Sequence, residues 1–510
     1  MILKKRYDWI LYVIFTCIMI FVLSQKENFH EDELLSYNLA NASGWFKPTD
    51  GVTYTPASEP FMNALVADGK FNLSNVWMRQ SNDVHPPFYY ILVHGICTLF
   101  PGTFSVQYLA IINIVFQLLI FAVLRAFLRE LTSEEKIVNI ISVAYMLCPG
   151  VLSITTFLRM YVCVIFWILL FTYLLFKNMD KLISMECILI AAVTVCGALT
   201  HYYFIIYAFC LSVAVCLMWL KEKRMKEFGK YVLTMSSAGG VSILIFPAII
   251  EHMFFSGRGV QSIENLKSSN IFEQMKIYFG LLDKNLFGGI VLLGILFILL
   301  SIMLKARNFS FGEICNKERK YICLLLAILG YFVFIAKSAP MNEIRYLSPM
   351  FGVIFAFFLT VLFRSIQYLF SGKKYVSYIY GLIILAMLIK GWHNYDWEYL
   401  YKDTKDRVEY ATMEGNQFQG ICIYNHDWTV LHSYREISQM KSIIFYMASD
   451  YETYNEKSAG VELEDKIAFF IVGTDANVFL DRFMEEHPGY KVIRDNGKFK
   501  YAHSIYLGKE

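Results

Sequence analysis

The chain has 510 residues, of which 56% are hydrophobic and only 17% are charged, and its mean hydropathy is +0.45. Soluble globular proteins carry about 25% charged residues, so the composition argues against a soluble enzyme, a disordered chain or a coiled coil. The apolar residues form blocks of about 17 to 25, the length that spans a bilayer as a helix. The sequence therefore predicts a polytopic membrane protein. Its net charge of +3 gives no indication of nucleic-acid binding, because the basic residues are confined to particular loops.

Cysteine usage excludes one class of fold for the polar C-terminal part. Most of the 11 cysteines lie inside apolar runs, and the C-terminal polar region contains only Cys422. No CxxC motif occurs. These positions exclude a disulfide framework in that region and argue against a cysteine-rich zinc site.

The first apolar run, 9–23, follows a basic segment at 4–6. A signal peptide would end in a small-x-small cleavage site, but Ser24-Gln25-Lys26 follows instead. We therefore predict an uncleaved first helix with its N-terminus in the cytoplasm. The polar stretch 25–84 is then external.

Further apolar runs are predicted to be transmembrane helices: 104–124, 137–157, 160–176, 183–199, 202–220, 231–250, 286–304, 321–336, 347–370 and 376–390. The loops between them alternate between strongly basic and weakly charged, and the basic ones are cytoplasmic by the positive-inside rule. We expect about 11 full crossings, within about 11–13 membrane helices, with the C-terminus outside.

The segment 85–101 complicates this topology. It is apolar enough to enter the membrane, but a full crossing would place the basic loop 125–136 outside. We therefore expect a helix that dips into the membrane or lies along its surface. The Pro86-Pro87 start suits the first turn of a helix, where a missing N–H has no cost.

The tail changes composition after about residue 393. It is charged and contains short β-rich runs at 421–424, 467–472, 491–494 and 501–506, with a helical pattern at 477–486. The predicted fold class is an all-α polytopic membrane protein with a small extracytoplasmic C-terminal α/β domain. We expect a membrane domain at 1–392, including an external loop at 25–103, and an α/β domain at 393–510.

Three consecutive acids, Glu31, Asp32 and Glu33, follow the first predicted span. They cannot all be charged easily at a membrane edge unless another charge compensates them. One interpretation is a general base that takes a proton from an acceptor hydroxyl. The alternative is a solvated helix start with acids at its N-terminus.

Cationic and aromatic residues from distant segments fall on the same expected external side: His85, Arg159, Tyr161, His201, Tyr202, Lys337, Arg345 and Tyr346. Taken singly, each is explained as a lipid-headgroup anchor, an interfacial histidine or a helix start. The guanidinium of Arg345 also suits bidentate phosphate binding. Together with the acids, the set suits transfer from a phosphate-linked donor, because an acid activates the nucleophile while cations stabilise the departing phosphate.

At these positions the sequence resembles the GT-C membrane glycosyltransferases. It is similar to the group of dolichyl-phosphate-mannose protein mannosyltransferases and the bacterial lipid A aminoarabinose transferase. The resemblance covers about the first 350 residues and rests on five motifs in order: Asp32-Glu33, His85-Pro86-Pro87 with Tyr89-Tyr90, Arg159-Met160-Tyr161, Thr200-His201-Tyr202 and Arg345-Tyr346.

The resemblance implies a polyprenyl-phosphate sugar donor, an external active site and an inverting reaction. It makes Asp32 the catalytic base and Glu33 its partner, with Glu31 as an extra acid. Lys337 and Arg345 are the candidates for the phosphate-binding cation of relatives. The tail does not match the β-trefoil insert of the mannosyltransferases, which argues against a protein mannosyltransferase.

The sequence thus predicts a glycosyltransferase of the plasma membrane that acts on an acceptor hydroxyl. We expect no obligatory metal, although Asp32, Glu33 and His85 could hold a divalent ion. One alternative is a transporter or flippase of lipid-linked saccharides, but internal repeats typical of transporters are not evident. Another is a non-catalytic scaffold whose tail binds a partner. The sugar, the acceptor, the polyprenol and the oligomeric state are not indicated.

Overall fold

The computed structural model describes residues 2–268, 270–306, 318–370 and 375–509. The chain divides into two compact units. The first, called the helical unit, comprises Met1–Ile20, Gln80–Tyr89 and Ala110–Asp396. The second, called the mixed unit, comprises Phe21–Arg79, Tyr90–Leu109 and Trp397–Glu510.

The helical unit is built from α-helices joined by short connections. Those that lie wholly within it are Glu135–Leu147, Pro149–Thr156, Tyr161–Lys177, Ser184–Ala198, Tyr202–Lys221, Met225–Ile245, Ala248–Phe254, Gly257–Ser268, Ile271–Leu282, Val291–Ala306, Arg319–Ser338, Phe351–Leu369 and Val376–His393. A π-helix occupies Asp283–Phe287, and 3-10 turns occupy Ile344–Tyr346 and Ser348–Met350. The helices Ile2–Leu23, Leu73–Ser81, Phe88–Thr98 and Val106–Leu131 contain residues of both units.

Among the described residues, six helices are long and apolar enough to cross a membrane, or up to eight spans if each of two bent helix pairs counts as one. The six are Val106–Leu131, Tyr202–Lys221, Met225–Ile245, Arg319–Ser338, Ser348–Leu369 and Val376–His393. The bent pairs are Glu135–Leu147 with Pro149–Thr156 and Ile271–Phe287 with Val291–Leu304. The predicted polytopic helical membrane protein is confirmed, whereas the total of about 11 crossings stays a prediction.

The segment expected not to cross forms the helix Phe88–Thr98, which has 11 residues. At 1.5 Å per residue it rises about 17 Å, against about 30 Å for the hydrocarbon core of a bilayer. The helix follows Pro86-Pro87, and the backbone N–H of Phe88 donates to Leu199 O at 2.9 Å. On length alone, this helix does not span a membrane.

The mixed unit contains a six-stranded sheet and short helices. The strands are β1 Thr53–Tyr54, β2 Gln419–Tyr424, β3 Ser442–Met447, β4 Lys466–Val472, β5 Tyr490–Phe499 and β6 Ala502–Lys509, in the order β1-β3-β2-β4-β6-β5. Its α-helices are Glu31–Asn41, Glu59–Leu65, Lys405–Glu414, Tyr434–Ile437, Tyr451–Ser458 and Ala476–Glu486, and its 3-10 turns are Glu398–Leu400, Lys402–Thr404, Gly415–Gln417 and Asp427–Ser433. The predicted C-terminal α/β fold is confirmed.

The sheet is parallel in its centre and antiparallel at its sides. Strand β2 pairs in parallel with β3 and with β4, while β6 and β5 continue the sheet antiparallel. Alternate residues of β2, Ile421 and Ile423, point to one face, as the two-residue period of a strand requires. There they join a buried core with Phe479 and Phe483 from the helix Ala476–Glu486.

Two features of the mixed unit were not among the sequence expectations. Strand β3 was not expected, because a short apolar run such as 442–447 carries no distinctive period. Residues 21–79 group with the C-terminal residues, while the domain bounds 1–392 and 393–510 stay a prediction. Strand β1 explains part of this, since Thr53 and Tyr54 pair with Ile444 and Ile443 of β3.

Candidate functional site

The acidic helix start in the mixed unit begins with His30 as the N-cap of the helix Glu31–Asn41. The Nδ1 atom of His30 accepts from Asp32 N at 3.1 Å, and His30 N donates to Glu33 Oε2 at 2.8 Å. These two bonds form a capping box, which satisfies backbone N–H groups that a helix start otherwise leaves open. The motif that suggested an active site is therefore also a helix-start signal.

Glu33 is the most enclosed of the three acids. Its side chain is 0% exposed, and its Oε1 lies 3.0 Å from Nζ of Lys26, which is 3% exposed. Lys26 also donates to Tyr399 O at 2.6 Å. Burial lowers the pKa of Lys26, and the Glu33 carboxylate opposes that shift. Both Glu33 oxygens are thus held by groups of the protein itself.

Glu31 lies between two histidines from opposite ends of the chain. Its Oε2 is 2.9 Å from Nδ1 of His30 and 2.6 Å from Nε2 of His432. Burial alone would raise the pKa of Glu31, but its contacts with His30 and His432 outweigh burial and lower the pKa to about 2. A carboxylate with so low a pKa is a weak base at neutral pH.

Asp32 is the most exposed carboxylate of the three. Its side chain is 26% exposed, against 13% for Glu31, and its Oδ2 lies 3.8 Å from Nδ1 of His30. The ligand atoms of His30, Glu31 and Asp32 all lie within 4.8 Å of one another, close enough to hold a metal ion. One imidazole nitrogen and two carboxylates suit a divalent cation. Glu33, which the sequence grouped with Asp32 and His85 as a possible ion site, is held instead by Lys26.

In the helical unit, several predicted residues meet in what we call the cationic cluster, made up of His85, Arg159, His201 and Arg345. His85 Nδ1 lies 2.9 Å from Asp83 Oδ2, and His85 Nε2 lies 3.4 Å from Arg159 Nη2. Burial raises the pKa of Asp83, but the contact with His85 and the charge of Arg159 outweigh it and lower the pKa. The Asp83 carboxylate is therefore charged and holds the histidine in place.

His201 packs against the same histidine. Its ring centroid lies 6.0 Å from that of His85 and 5.6 Å from that of Tyr161. Burial lowers the pKa of His201 well below its ordinary value, and the charges of His85, Arg159 and Arg345 add to this effect. The Nδ1 atom of this neutral ring accepts from Tyr203 N at 3.1 Å, so its Nε2 carries the hydrogen and is a donor.

Arg345 is buried, with 8% of its surface exposed. Its Nε lies 2.5 Å from Glu343 Oε2, and its guanidinium lies over the Tyr346 ring at 5.3 Å from the centroid. The Tyr346 ring in turn contacts Tyr203, with centroids 5.9 Å apart. The 3-10 turn Ile344–Tyr346 thus places Arg345 near enough to His201 to act on its pKa, and it packs Tyr346 against Tyr203.

Two predicted residues have other contacts. The hydroxyl of Tyr202 lies 2.6 Å from Nδ1 of His252, whose Nε2 lies 3.1 Å from Ser81 O. Lys337 Nζ donates to Leu266 O at 2.9 Å, in the last turn of the helix Gly257–Ser268. A lysine at this position interacts favourably with the helix dipole.

Sequence reasoning did not single out several residues that complete these sites: Lys26, His30, Glu343, His252 and His432. His30 had a recognisable signal, because a polar residue three positions before a glutamate suggests a capping box. Glu343 also had a recognisable signal, because an acid two positions from Arg345 is close enough in the chain to pair with it. His432 had none, because its contact with Glu31 joins residues at opposite ends of the sequence.

No protein-family model matches the chain, and no curated protein matches it in sequence. Solved structures of an oligosaccharyltransferase from Archaeoglobus fulgidus are similar to it. One, AglB in complex with an inhibitory peptide and a dolichol-phosphate, is 11% identical, with a TM-score of 0.46 over 91% of this chain and 69% of that chain. The apo form is 12% identical, with a TM-score of 0.45 over 91% and 70%.

A third structure of that enzyme, tethered with an acceptor peptide containing the NVT sequon, is 10% identical, with a TM-score of 0.42 over 91% of this chain and 69% of that chain. These neighbours are oligosaccharyltransferases. Because the identities are low and the TM-scores lie below 0.5, the functional assignment of this chain rests on its own residues.

Proposed function

We propose that the chain is an integral membrane glycosyltransferase that moves a sugar from a polyprenyl-phosphate donor to an acceptor hydroxyl, with inversion at the anomeric carbon. The observation that carries this proposal is the cationic cluster. Arg159 and Arg345 are 3% and 8% exposed, and buried cations are costly unless anions complement them. A phosphate ligand supplies such an anion.

The composition of the cluster favours a phosphate over a simple ion pair. A guanidinium carries five N–H donors, and one carboxylate accepts only a bidentate pair of them. The fork of donors on Arg345 matches the geometry of phosphate oxygens. The neutral His201 adds an N–H donor without adding repulsion between cations. Donors of this kind stabilise the charge that develops on a departing phosphate.

In the proposed reaction the acceptor oxygen forms a bond to the anomeric carbon as the bond from that carbon to the phosphate oxygen breaks. We assign the acceptor proton to Asp32 of the mixed unit. The electron pair leaves with the polyprenyl phosphate, for which Arg345 and Arg159 of the helical unit are the candidate ligands. A single displacement of this kind inverts the anomeric configuration. General-base help of this type typically contributes about 10²–10⁴-fold in rate.

Asp32 is the best candidate for the base among the three acids. Glu31 has a pKa near 2 and is therefore a weak base, and Glu33 is buried against Lys26. We assign Glu33 to positioning, because its bond to His30 N holds the start of the helix that carries Asp32.

The orientation is also part of the proposal. The alternation of basic loops supports a cytoplasmic N-terminus and an external position for Asp32 and for the C-terminal residues. In a cell with a single membrane this places the reaction at the outer face of the plasma membrane. The donor then reaches the enzyme within the bilayer, and the acceptor comes from outside.

The test is sugar transfer by the purified chain in liposomes, with donor binding measured separately. Asp32→Asn keeps the shape of the side chain and removes its basicity, so transfer should fall about 10²–10⁴-fold while donor binding remains. Glu31→Gln is the matched control and should lose far less. If Asp32→Asn turns over normally while Glu31→Gln or Glu33→Gln is inactive, another carboxylate is the base. Full activity of all three variants would contradict the proposed transfer mechanism and favour lipid transport.

A further inference from the structure

The central strand of the sheet ends at a position that favours ligand binding. In chain order β2 is followed by β3 on one side of it and then by β4 on the other. Such a reversal of direction is a topological switch point, and ligands of open α/β sheets bind outside the carboxyl ends of the strands at that point. Strand β2 ends at Tyr424, so residues 425–428 lie directly at this switch point.

Exposed aromatic rings surround this strand end. Trp428 is 42% exposed and Tyr501 is 44% exposed, and their ring centroids lie 5.6 Å apart in an edge-to-face arrangement. The His426 ring lies nearly parallel to the Trp428 indole, at an angle of 11°. Tyr501 is held at this edge because its carbonyl accepts from Gly473 N at 3.0 Å, just beyond the end of β4. We call Trp428, Tyr501 and His426 the aromatic platform.

A carboxylate with spare capacity lies next to the platform. The Oδ1 atom of Asp427 is buried and has no hydrogen-bond partner among the described residues. Burial, together with the nearby Asp50 carboxylate, raises the pKa of Asp427 above its ordinary value, against the opposing effect of Lys47. A buried acceptor without a donor is unfavourable, and a ligand hydroxyl would satisfy it.

This combination favours a saccharide over other ligands. The C–H faces of a sugar ring pack on aromatic faces, and its hydroxyls donate to carboxylates. An extended peptide would need an open strand edge, but β2 and β4 are paired on both sides. An anionic lipid headgroup would need a clear excess of cations, whereas Asp427 and Asp50 offset Lys47 here.

The platform adjoins the acidic helix start within the mixed unit. The Tyr501 ring lies 5.4 Å from the His432 ring, and His432 Nε2 lies 2.6 Å from Glu31 Oε2. Asp32, the proposed base, follows Glu31 in the same helix turn. Tyr501, His432 and Glu31 therefore form a continuous set of contacts from the platform to the helix that carries the proposed base.

We propose that the aromatic platform with Asp427 binds a saccharide that serves as the glycosyl acceptor. This inference rests on the glycosyl transfer proposed above, and it identifies the acceptor as a carbohydrate rather than a protein side chain. It also gives the C-terminal residues a role in selecting the substrate.

The experiment measures binding of the full-length protein in detergent to a printed array of di- to hexasaccharides and of peptides containing serine, threonine and asparagine. We expect binding to particular saccharides, and a fall of about tenfold in Trp428→Ala and in Tyr501→Ala, as for the loss of a central aromatic contact. Trp428→Tyr keeps an aromatic face and should restore most of the binding. The matched control is Met413→Ala, an exposed apolar residue of the helix Lys405–Glu414 in the same unit.

Each outcome separates this inference from the proposed transfer. Asp32→Asn should lose transfer and keep most of its saccharide binding. Unchanged binding in both alanine variants, binding to peptides instead of saccharides, or no saccharide bound by the wild type would overturn the inference without affecting the transfer proposal. A different result would be that saccharide binding depends on Trp428 while the Asp32→Asn variant transfers sugar at the wild-type rate. This result would support the binding site and overturn the proposed role of Asp32.

Discussion

At the scale of single residues, the three consecutive acids have three different environments. Glu33 is enclosed with Lys26, Glu31 lies between two histidines, and Asp32 is the most exposed. The helix period explains the difference, because consecutive helical residues point in directions about 100° apart. Sequence reasoning correctly expected that neighbouring charges compensate the acids. It could not predict which charged residue lies beside which acid, because Lys26 contacts Glu33 and His432 contacts Glu31.

The pairing of Glu33 with Lys26 gives a stability prediction. Both side chains are buried, so Glu33→Gln leaves the lysine without its counterion, and the loss of one partner of a buried pair costs about 3–5 kcal/mol. We expect a clearly lower thermal unfolding midpoint in detergent. Adding Lys26→Met should recover part of the loss, because glutamine can still cap the helix and no unpaired charge remains.

The control is the exposed pair Lys405 and Glu409, whose side chains are both 55% exposed. Glu409→Gln should change stability by about 0.5 kcal/mol at most. If Glu33→Gln abolishes transfer but leaves the unfolding midpoint unchanged, Glu33 acts in the chemistry rather than in positioning. An altered pH profile of the remaining transfer in Glu33→Gln would lead to the same conclusion.

At the scale of secondary-structure elements, the bent pair Glu135–Leu147 and Pro149–Thr156 depends on a close backbone contact. The two helices meet at an angle of 47°, with Pro149 at the start of the second. A Cβ atom on Gly150 would overlap the carbonyl group of Asn285. The same carbonyl accepts from Sγ of Cys148 at 3.3 Å. Small residues permit such close approach between membrane helices.

We therefore predict that Gly150→Ala destabilises the protein, because the Asn285 backbone would have to move, at a cost of about 1–3 kcal/mol. Gly240→Ala is the matched control. Gly240 also lies in a helix of the helical unit, but a Cβ atom there would meet nothing within 4 Å. The measurement is the thermal unfolding midpoint of each variant in detergent. Equal midpoints for the two variants would show that the helix pair tolerates a wider separation.

The sheet contains strands that the sequence predicted and strands that it did not. The strands Gln419–Tyr424 and Lys466–Val472 were expected from β-branched and aromatic runs. Strand β1 has only two residues, and it exists because it pairs with β3. A strand of this length has no local stability, so pairing rather than propensity determines it.

At the scale of the whole molecule, the topology can be tested with a membrane-impermeant thiol reagent. With the exposed Cys17 replaced by serine, a cysteine at Asn455 should be labelled in intact cells and a cysteine at Lys226 should not. The reason is the cluster of basic residues around Lys226, which the positive-inside rule assigns to the cytoplasm. Both side chains are exposed, so accessibility within the fold does not limit the reaction.

Labelling of both positions after permeabilisation is the control for reactivity. If the cysteine at Lys226 reacts in intact cells, or the one at Asn455 reacts only after permeabilisation, the predicted orientation is wrong. The base would then be on the cytoplasmic side, and the acceptor would have to be a cytoplasmic saccharide.

The sequence by itself determined the membrane class, the approximate positions of most long apolar helices and the α/β character of the tail. These are local properties, because a bilayer requires about 20 consecutive apolar residues for a spanning helix, and a strand repeats every two residues. Only the tertiary structure decided that His432 contacts Glu31 and that Lys26 pairs with Glu33. It also decided that the rings of Trp428 and Tyr501 lie together beyond the end of β2. These contacts join residues far apart in the chain, and packing of the folded units, rather than any local pattern, brings such residues together.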